Sequence, residues 1–167
     1  MKALLTRLTG ALTATLCLPL PALALSCMPY DIVSAYKDAE KSDDSFVVVL
    51  GDLTFDKSAL PVVDMDHQAD TPADTFFQGR LVGNALTLDG FETPFEMDIA
   101  INVQCFGPWC GSLTPDTEYL GFLKRTEGGL LLETNPCGGY AFGEPQPEDV
   151  AKVLACARGE SCTPPLH

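Results

Sequence analysis

Histidine is nearly absent from this 167-residue chain: only His67 and His167 occur. Two imidazoles, one of them in an acidic stretch, are too few for a His-based zinc site. Positive charge is scarce as well, with ten Lys and Arg against 23 Asp and Glu. A field of that sign repels phosphate backbones and anionic lipid, which argues against nucleic acid as a partner. Cys105 and Cys110 are five apart and no Cys-x-x-Cys occurs, so a thioredoxin-type redox pair has no motif. There is no nucleophile elbow. There is also no glycine-rich phosphate loop, since Gly128-Gly129 and Gly138-Gly139 read as turn glycines. No internal repeat and no low-complexity linker appears. Carboxylates are abundant, but a sequence carries no sign of a raised pKa, so a glycosidase-like pair has no positive support. These absences leave no catalytic residue, cofactor or metal site to assign.

What is present begins with a leader. Lys2 and Arg7 precede a short apolar stretch through Leu12, Leu16 and Leu18, and Pro19-Leu20-Pro21-Ala22-Leu23-Ala24 follows. A charged start, a short greasy middle and small residues at a cut site read as a signal peptide over residues 1–24. Its middle is too short and too broken by proline to span a bilayer, and no second hydrophobic run exists. Residues 25–167 are then expected as one soluble extracytoplasmic domain, secreted or periplasmic. Removing Lys2, Arg7 and no acid leaves eight basic and 23 acidic residues, a formal charge of −15. The acids are spread along the chain, which reads as solubility in preference to a basic partner or bound cations. Six cysteines remain: Cys27, Cys105, Cys110, Cys137, Cys156 and Cys162. An even set in an oxidising compartment reads as three disulfides. Lipidation of Cys27 would leave an odd five, and Ala24-Leu25-Ser26-Cys27 has Ala where a lipoprotein box normally has Leu.

Ile32, Ala35, Tyr36 and Ala39 fall on one helical stripe, with Asp31 in the first turn. Ser45 to Phe55 is a β-branched strand, and Gly51 within it suggests a bulge or sharp bend. Residues 56–74 read as a solvated acidic loop, because Asp64, Asp66, Asp70 and Asp74 lack calcium-loop spacing and a closing Glu. Phe76 to Leu88 is a strand or hairpin with Gly83-Asn84 as a turn signal, and Asp89-Gly90 turns the chain again. From Phe95 to Cys105 the residues alternate strictly, predicting one buried face (Phe95, Met97, Ile99, Ile101, Val103, Cys105) and one wet face. Phe106 to Gly111 is a turn-rich connector. Glu118–Arg125 and Leu130–Thr134 form a hairpin about Glu127-Gly128-Gly129, and Asn135 to Gly139 ends the sheet region. A last helix carries Val150, Val153, Leu154 and Ala157 on one stripe, with Gly159 as its stop; Cys162 is placed to reach back to Cys156. Trp109, Phe76, Phe77 and Phe106 read as packing residues, Trp109 against a disulfide.

The fold class is mostly β: a five-stranded antiparallel Greek-key barrel of the OB type, with a short N-terminal helix, a C-terminal helix and disulfide staples. A β-sandwich is the alternative. Four local patterns, in this order, carry a family resemblance. They are Cys27-Met28-Pro29 before a polar helix and Phe46-Val47-Val48-Val49-Leu50-Gly51; Trp109-Cys110-Gly111; Thr117-Glu118-Tyr119-Leu120-Gly121-Phe122-Leu123 with Gly128 to Thr134 and Pro136-Cys137-Gly138; and the helix with a late cysteine. The chain resembles the netrin-like, or tissue-inhibitor-of-metalloproteinases-like (TIMP-like), domains. That resemblance implies a five-stranded OB barrel with helices beside it. It also implies that Cys27 reaches Cys137 or Cys110, the Cys-x-Pro start favouring Cys137, with Cys105–Cys110 and Cys156–Cys162 as the other pairs.

The resemblance and the missing catalytic residues lead to a non-enzymatic module that binds a protein partner, on a barrel face or on a loop rim that includes Cys27, Met28 and Trp109. The family's inhibitors chelate a protease zinc through a free N-terminal cysteine, which implies Cys27 and Met28 as the alternative inhibitory segment. Two departures stand against it: Leu25-Ser26 would precede Cys27 after cleavage at Ala24, and the start carries one cysteine where the inhibitors carry a cysteine-x-cysteine pair. A secreted hydrolase with an unrecognised carboxylate site is the third reading.

Overall fold

The computed structural model describes residues 25–28 and 30–164; the leader at 1–24, Pro29 and His167 lie outside the described residues. The elements are α1 (Ile32–Lys41), β1 (Phe46–Phe55), β2 (Asp74–Leu86), β3 (Phe91–Phe106), β4 (Trp109–Cys110), β5 (Thr117–Thr126), β6 (Gly129–Asn135), β7 (Gly138–Gly139), β8 (Ala141–Gly143) and α2 (Pro147–Ala157). Two 3-10 turns, Lys57–Ala59 and Gln68–Asp70, sit in the long β1–β2 loop.

Five strands close into a ring. β1 pairs with β2 and with β5, β2 with β3, and β5 with β6. The ring shuts where β6 meets β3, Ala100 to Val103 lying beside Leu131 to Thr134 in parallel. The expected ring is therefore antiparallel at every contact but this one. Strand directions cannot alternate all the way round an odd-membered ring, so a five-stranded closure forces one parallel pair. β7 and β8, which the sequence reading did not separate from the end of the sheet, add short antiparallel ladders on β6 and β5.

Two apolar cores follow from the alternation. Val49, Leu53, Leu81, Ile99, Ile101, Val103, Leu123 and Leu132 fill the ring interior. On the outside, Leu120 and Phe122 of β5 pack with Ile32, Val33 and Ala35 of α1 and Val153 and Cys156 of α2. The middle of β5 is thus buried on both faces, which is why Tyr119 to Leu123 form an apolar run between polar strand ends. Asp31 is the α1 N-cap, one position outside the expected first turn, accepting from the Ser34 N–H at 2.8 Å. Gly159, at φ 72, ends α2 as expected.

Two glycine expectations change: Gly83-Asn84 makes no turn, and of the bulge or sharp bend expected at Gly51 the bulge is absent. The β1–β2 ladder passes through Gly51 with no register shift, so there is no bulge there; the shift in the β2–β3 ladder lies at Ala85/Leu86. Gly83-Asn84 is not a turn but part of the continuous strand β2. Gly51 and Gly83 face each other across the ladder, and a Cβ on Gly51 would sit 2.8 Å from the Gly83 Cα. Both glycines serve close strand approach, which local sequence cannot tell from a turn signal. The chain turns at Thr87–Gly90 instead, the Thr87 N–H donating to the Gly90 carbonyl at 2.8 Å.

The β3 alternation holds over Ile99, Ile101, Val103 and Cys105, all buried. It fails at Met97, which is exposed and lies well outside the stretch of β3 that pairs with β6. Asn102, on the face expected to be wet, is 2% exposed because β6 and β2 flank it there.

Candidate functional site

Parallel pairing of β3 and β6 carries the C-terminal ends of both strands to the same end of the ring. Cys105 follows on β3, and Cys137 follows just past β6. The chain after Cys105 folds back as the β3–β4 hairpin, pairing Cys105 with Cys110 and Phe106 with Trp109. A disulfide joins Cys105 to Cys110, and another joins Cys137 to Cys27 with Cα atoms 5.2 Å apart. Cys156–Cys162 completes the same three pairs that the family resemblance implies. Gly111 lies tight against the Thr134-Asn135 backbone, so the two bridges are neighbours. The β1–β2 loop, the start of β2 and the segment leading into β5 reach this same end, because β2 runs against β3, and β1 against β2 and β5.

The structure therefore brings Cys27, Met28 and Trp109 to one rim. Cys27 is exposed, Met28 is 86% exposed and Trp109 is 38% exposed. Trp109 was expected to pack; its ring lies beside Gly107 at the hairpin tip and leaves over a third of the residue in solvent. Phe76 and Phe106, expected in the core, are 65% and 43% exposed. Strand parity explains Phe76. Phe77 turns inward to stack on Phe55 with ring centroids 5.4 Å apart, so its neighbour turns outward. Val62 and Met65, in the β1–β2 loop, are also exposed. Sequence reasoning passed over Val62 and Met65 and read Phe76 and Phe106 as packing residues. The adjacent pair Phe76-Phe77 within a strand was the one available signal.

The rim's polar groups are mostly acidic. The Asp64 carboxylate meets the His67 ring at 2.9 Å and accepts the Asp66 N–H at 2.8 Å, and these two contacts, His67 first, hold its pKa below the ordinary carboxylate value. Asp56 is held low in the same direction by the hydroxyl and N–H of Ser58. Asp74 accepts from the buried Asn102 amide at 2.9 Å, while the Asn102 carbonyl oxygen has no donor among the described residues. Inside the rim, the Tyr119 hydroxyl accepts the Thr114 N–H at 2.8 Å and braces the segment between β4 and β5. Tyr30 lies against Gly138, just beyond the Cys27–Cys137 bridge. Its hydroxyl donates to Asp38 at 3.0 Å, and burial together with that carboxylate pushes its pKa up.

Elsewhere an open groove of about 440 Å³ on the outer face is lined by Thr54, Phe55, Gln78, Gly79, Arg80 and Asp98. Its one cation is already engaged, the Arg80 guanidinium donating to Glu96 at 2.6 Å and Asp98 at 2.8 Å. No group of three or more His, Cys, Asp or Glu among the described residues is arranged to hold a metal ion. No helix among them is long and apolar enough to cross a membrane. Comparison of the chain with family models, curated proteins and solved structures finds no match.

Proposed function

We propose that this chain is a non-catalytic, extracytoplasmic protein-binding module on an OB-type Greek-key barrel, a relative of the netrin-like and TIMP-like domains. The strand order around the ring, β1-β2-β3-β6-β5, with its lone parallel contact between the third and last strands, supports the barrel reading. Three intrachain disulfides fit an oxidising compartment. The observation that carries the function is the exposure of large apolar side chains on the loops and strand ends that the pairings bring to one disulfide-stapled rim. Exposed patches of this kind on a rigid scaffold mark interaction sites, and aromatic and methionine side chains are enriched at them.

The test is affinity capture from an extracytoplasmic fraction with the wild-type chain and a Met28→Ser/Phe76→Thr/Trp109→Ser variant side by side. A protein retained by the wild type and lost by the variant is the expected result. A set of captured proteins unchanged by the variant, or turnover of a substrate by the purified chain, defeats the reading.

The exposure of Met28 beside the Cys27 bridge also favours one second reading, metalloprotease inhibition through Cys27-Met28. It requires a mature chain that starts at Cys27, so its free amine can bind a metal. N-terminal sequencing decides this, because a start at Leu25 turns that nitrogen into a peptide amide.

A further inference from the structure

We infer that the rim's partner is a cationic polypeptide segment carrying apolar side chains, so that this module is a receptor for a basic, apolar stretch of another protein. The inference rests on the module reading above and gives that partner its chemical class.

The apolar part comes from exposure. Met28, Val62, Met65, Phe76, Phe106 and Trp109 stand in solvent on loops and strand ends at one end of the ring. Two of them are methionines, whose unbranched thioether chains adapt to partners of varied shape. The charge part comes from topology. Residues 56–76, 104–117 and 135–139 converge on this rim and hold six acids, Asp56, Asp64, Asp66, Asp70, Asp74 and Asp116, against the single cationic side chain of Lys57, a formal side-chain charge of −5. Of these acids only Asp64 contacts a basic group among the described residues, and that group is His67. Ser58 and Asn102 donate hydrogen bonds to Asp56 and Asp74 but bring no charge. The rim is thus an apolar surface inside an uncompensated negative field.

That combination selects the occupant. A second copy of this chain would set one field of this sign against another, and like charges across an interface oppose association. An anionic partner meets the same repulsion. A purely apolar segment would use the side chains and ignore the field. A basic apolar segment uses both: the acids steer the encounter, and the buried side chains set the rate of release.

The test uses the oxidised mature chain and three fluorescent synthetic peptides of equal length. One has leucines flanked by lysines, one has the same leucines flanked by glutamates, and one has the lysines with serine in place of leucine. Anisotropy titrations at rising NaCl give the affinities. The lysine–leucine peptide is expected to bind at least roughly tenfold more tightly than either other peptide. Its affinity is expected to fall by about tenfold between about 50 mM and about 500 mM salt as the Debye length shrinks. Asp64→Asn/Asp66→Asn/Asp70→Asn should weaken it about fivefold and flatten the salt dependence, and Phe76→Thr/Met65→Ser should weaken it about tenfold at every salt concentration. Leu88→Ser, at the far end of the ring, should change nothing. Equal binding of the glutamate peptide, no binding of the lysine–leucine peptide, or a concentration-dependent dimer in sedimentation equilibrium each overturns the inference. The two readings fail separately. A captured partner that still needs Met28, Phe76 and Trp109 but binds independently of salt removes the cationic class and leaves the module. A rim whose variants affect neither peptide nor captured partner removes the module itself.

Discussion

One end of the ring gathers the β1–β2 loop, the β3–β4 hairpin and the Cys27–Cys137 bridge; the other gathers the 87–90 turn, the β5–β6 hairpin and the C-terminus of α2. Residues 41–46, 86–91 and 124–130 at that second end hold Asp43, Asp44, Asp89 and Glu127 against Lys41, Lys124 and Arg125, nearly neutral beside the rim's −5. Two of the cations at that end, Lys124 and Arg158, are also occupied. Lys124 sits 3.1 Å from Glu133 and 3.7 Å from Asp44, and Arg158 donates to the Leu88 carbonyl at 2.7 Å. Leu88 is the one large apolar side chain standing exposed there among the described residues, where the rim has six. The same strands, alternating by the same rule, deliver a closed end and an open one. The difference lies in what the connections carry, which is where binding surfaces on rigid barrels are usually found.

Unequal cross-links should make the largest difference between the ends. Cys27–Cys137 closes 110 residues, and Cys156–Cys162 closes six. In the chain-entropy model the long loop is worth about 5 kcal/mol and the short one about 2 kcal/mol. Urea unfolding of Cys27→Ser/Cys137→Ser and of Cys156→Ser/Cys162→Ser should reproduce that order. Equal losses would mean that the rim bridge adds no constraint beyond a local staple.

A second contrast lies along β2. At Gly83, toward the closed end, a Cβ would run into the Leu50 carbonyl, and backbone cannot step aside. At Gly79, nearer the rim, its closest contact would be the Ile101 Cδ1, the movable tip of a side chain, with the Thr54 carbonyl farther off at 3.1 Å. Gly83→Ala should therefore cost about 3 kcal/mol and Gly79→Ala about 1 kcal/mol, read as shifts in the urea midpoint. A reversed order would mean that β1 and β2 are not as close as Gly51 and Gly83 allow.

This pair also shows how far the sequence was legible. Ile99, Ile101, Val103 and Cys105 read correctly because their shared face is buried, but Asn102 between them did not, because the β6 strand that flanks it lies far along the chain. The stripe of α1 read correctly too, and that of α2 in part: Val153 is buried with Val150 beside it, but Cys156 and not Leu154 or Ala157 completes the packed face. Gly83 did not read correctly, because a glycine needed for a neighbouring backbone looks like a glycine needed for a turn. Trp109, Phe76 and Phe106 were misread because aromatics are usually buried, and their exposure depends on where β3, β4 and β6 stop. The rim's charge was hidden for a further reason. Asp56 to Asp74 and Asp116 are separate stretches of sequence, and only the β1–β5 and β3–β6 contacts bring their elements to one end.

The closed end depends on Arg158, which ties α2 to the 87–90 turn through the Leu88 and Asp89 carbonyls. Arg158→Ala should lose about 1 kcal/mol of stability. It should also speed amide exchange at Thr87 to Gly90 while leaving the rim amides unchanged. Acceleration at both ends would show that the two are coupled.

At the rim, Tyr30 offers a pH handle. Burial of the phenol and its bond to Asp38 raise its pKa above the ordinary 10.0, so the folded chain holds this proton where the unfolded chain releases it. The stabilisation is complete below pH 10 and is lost as pH rises above it. Tyr36 and Tyr140 are shifted the same way, so Tyr30→Phe should reduce the alkaline loss of stability without abolishing it. At pH 7 the variant should lose only about 0.5 kcal/mol, the worth of one exposed hydrogen bond. An unchanged alkaline slope would place the loss on the other two tyrosines.

The smallest expected effect separates a binding surface from a packing surface. Phe76 and Phe77 are neighbours on β2, but Phe77 stacks on Phe55 over the interior while Phe76 stands in solvent. Phe76→Thr keeps a good strand former and removes no core contact, so its stability change should stay within about 0.5 kcal/mol. Phe77→Ala, opening a gap against the interior, should cost about 3 kcal/mol. If Phe76→Thr proves as costly as Phe77→Ala, the Phe76 ring is part of the core and the rim loses its central aromatic. If it is silent in stability, holding an exposed phenylalanine there contributes nothing to the fold, and what it does contribute must come from what it meets outside the chain.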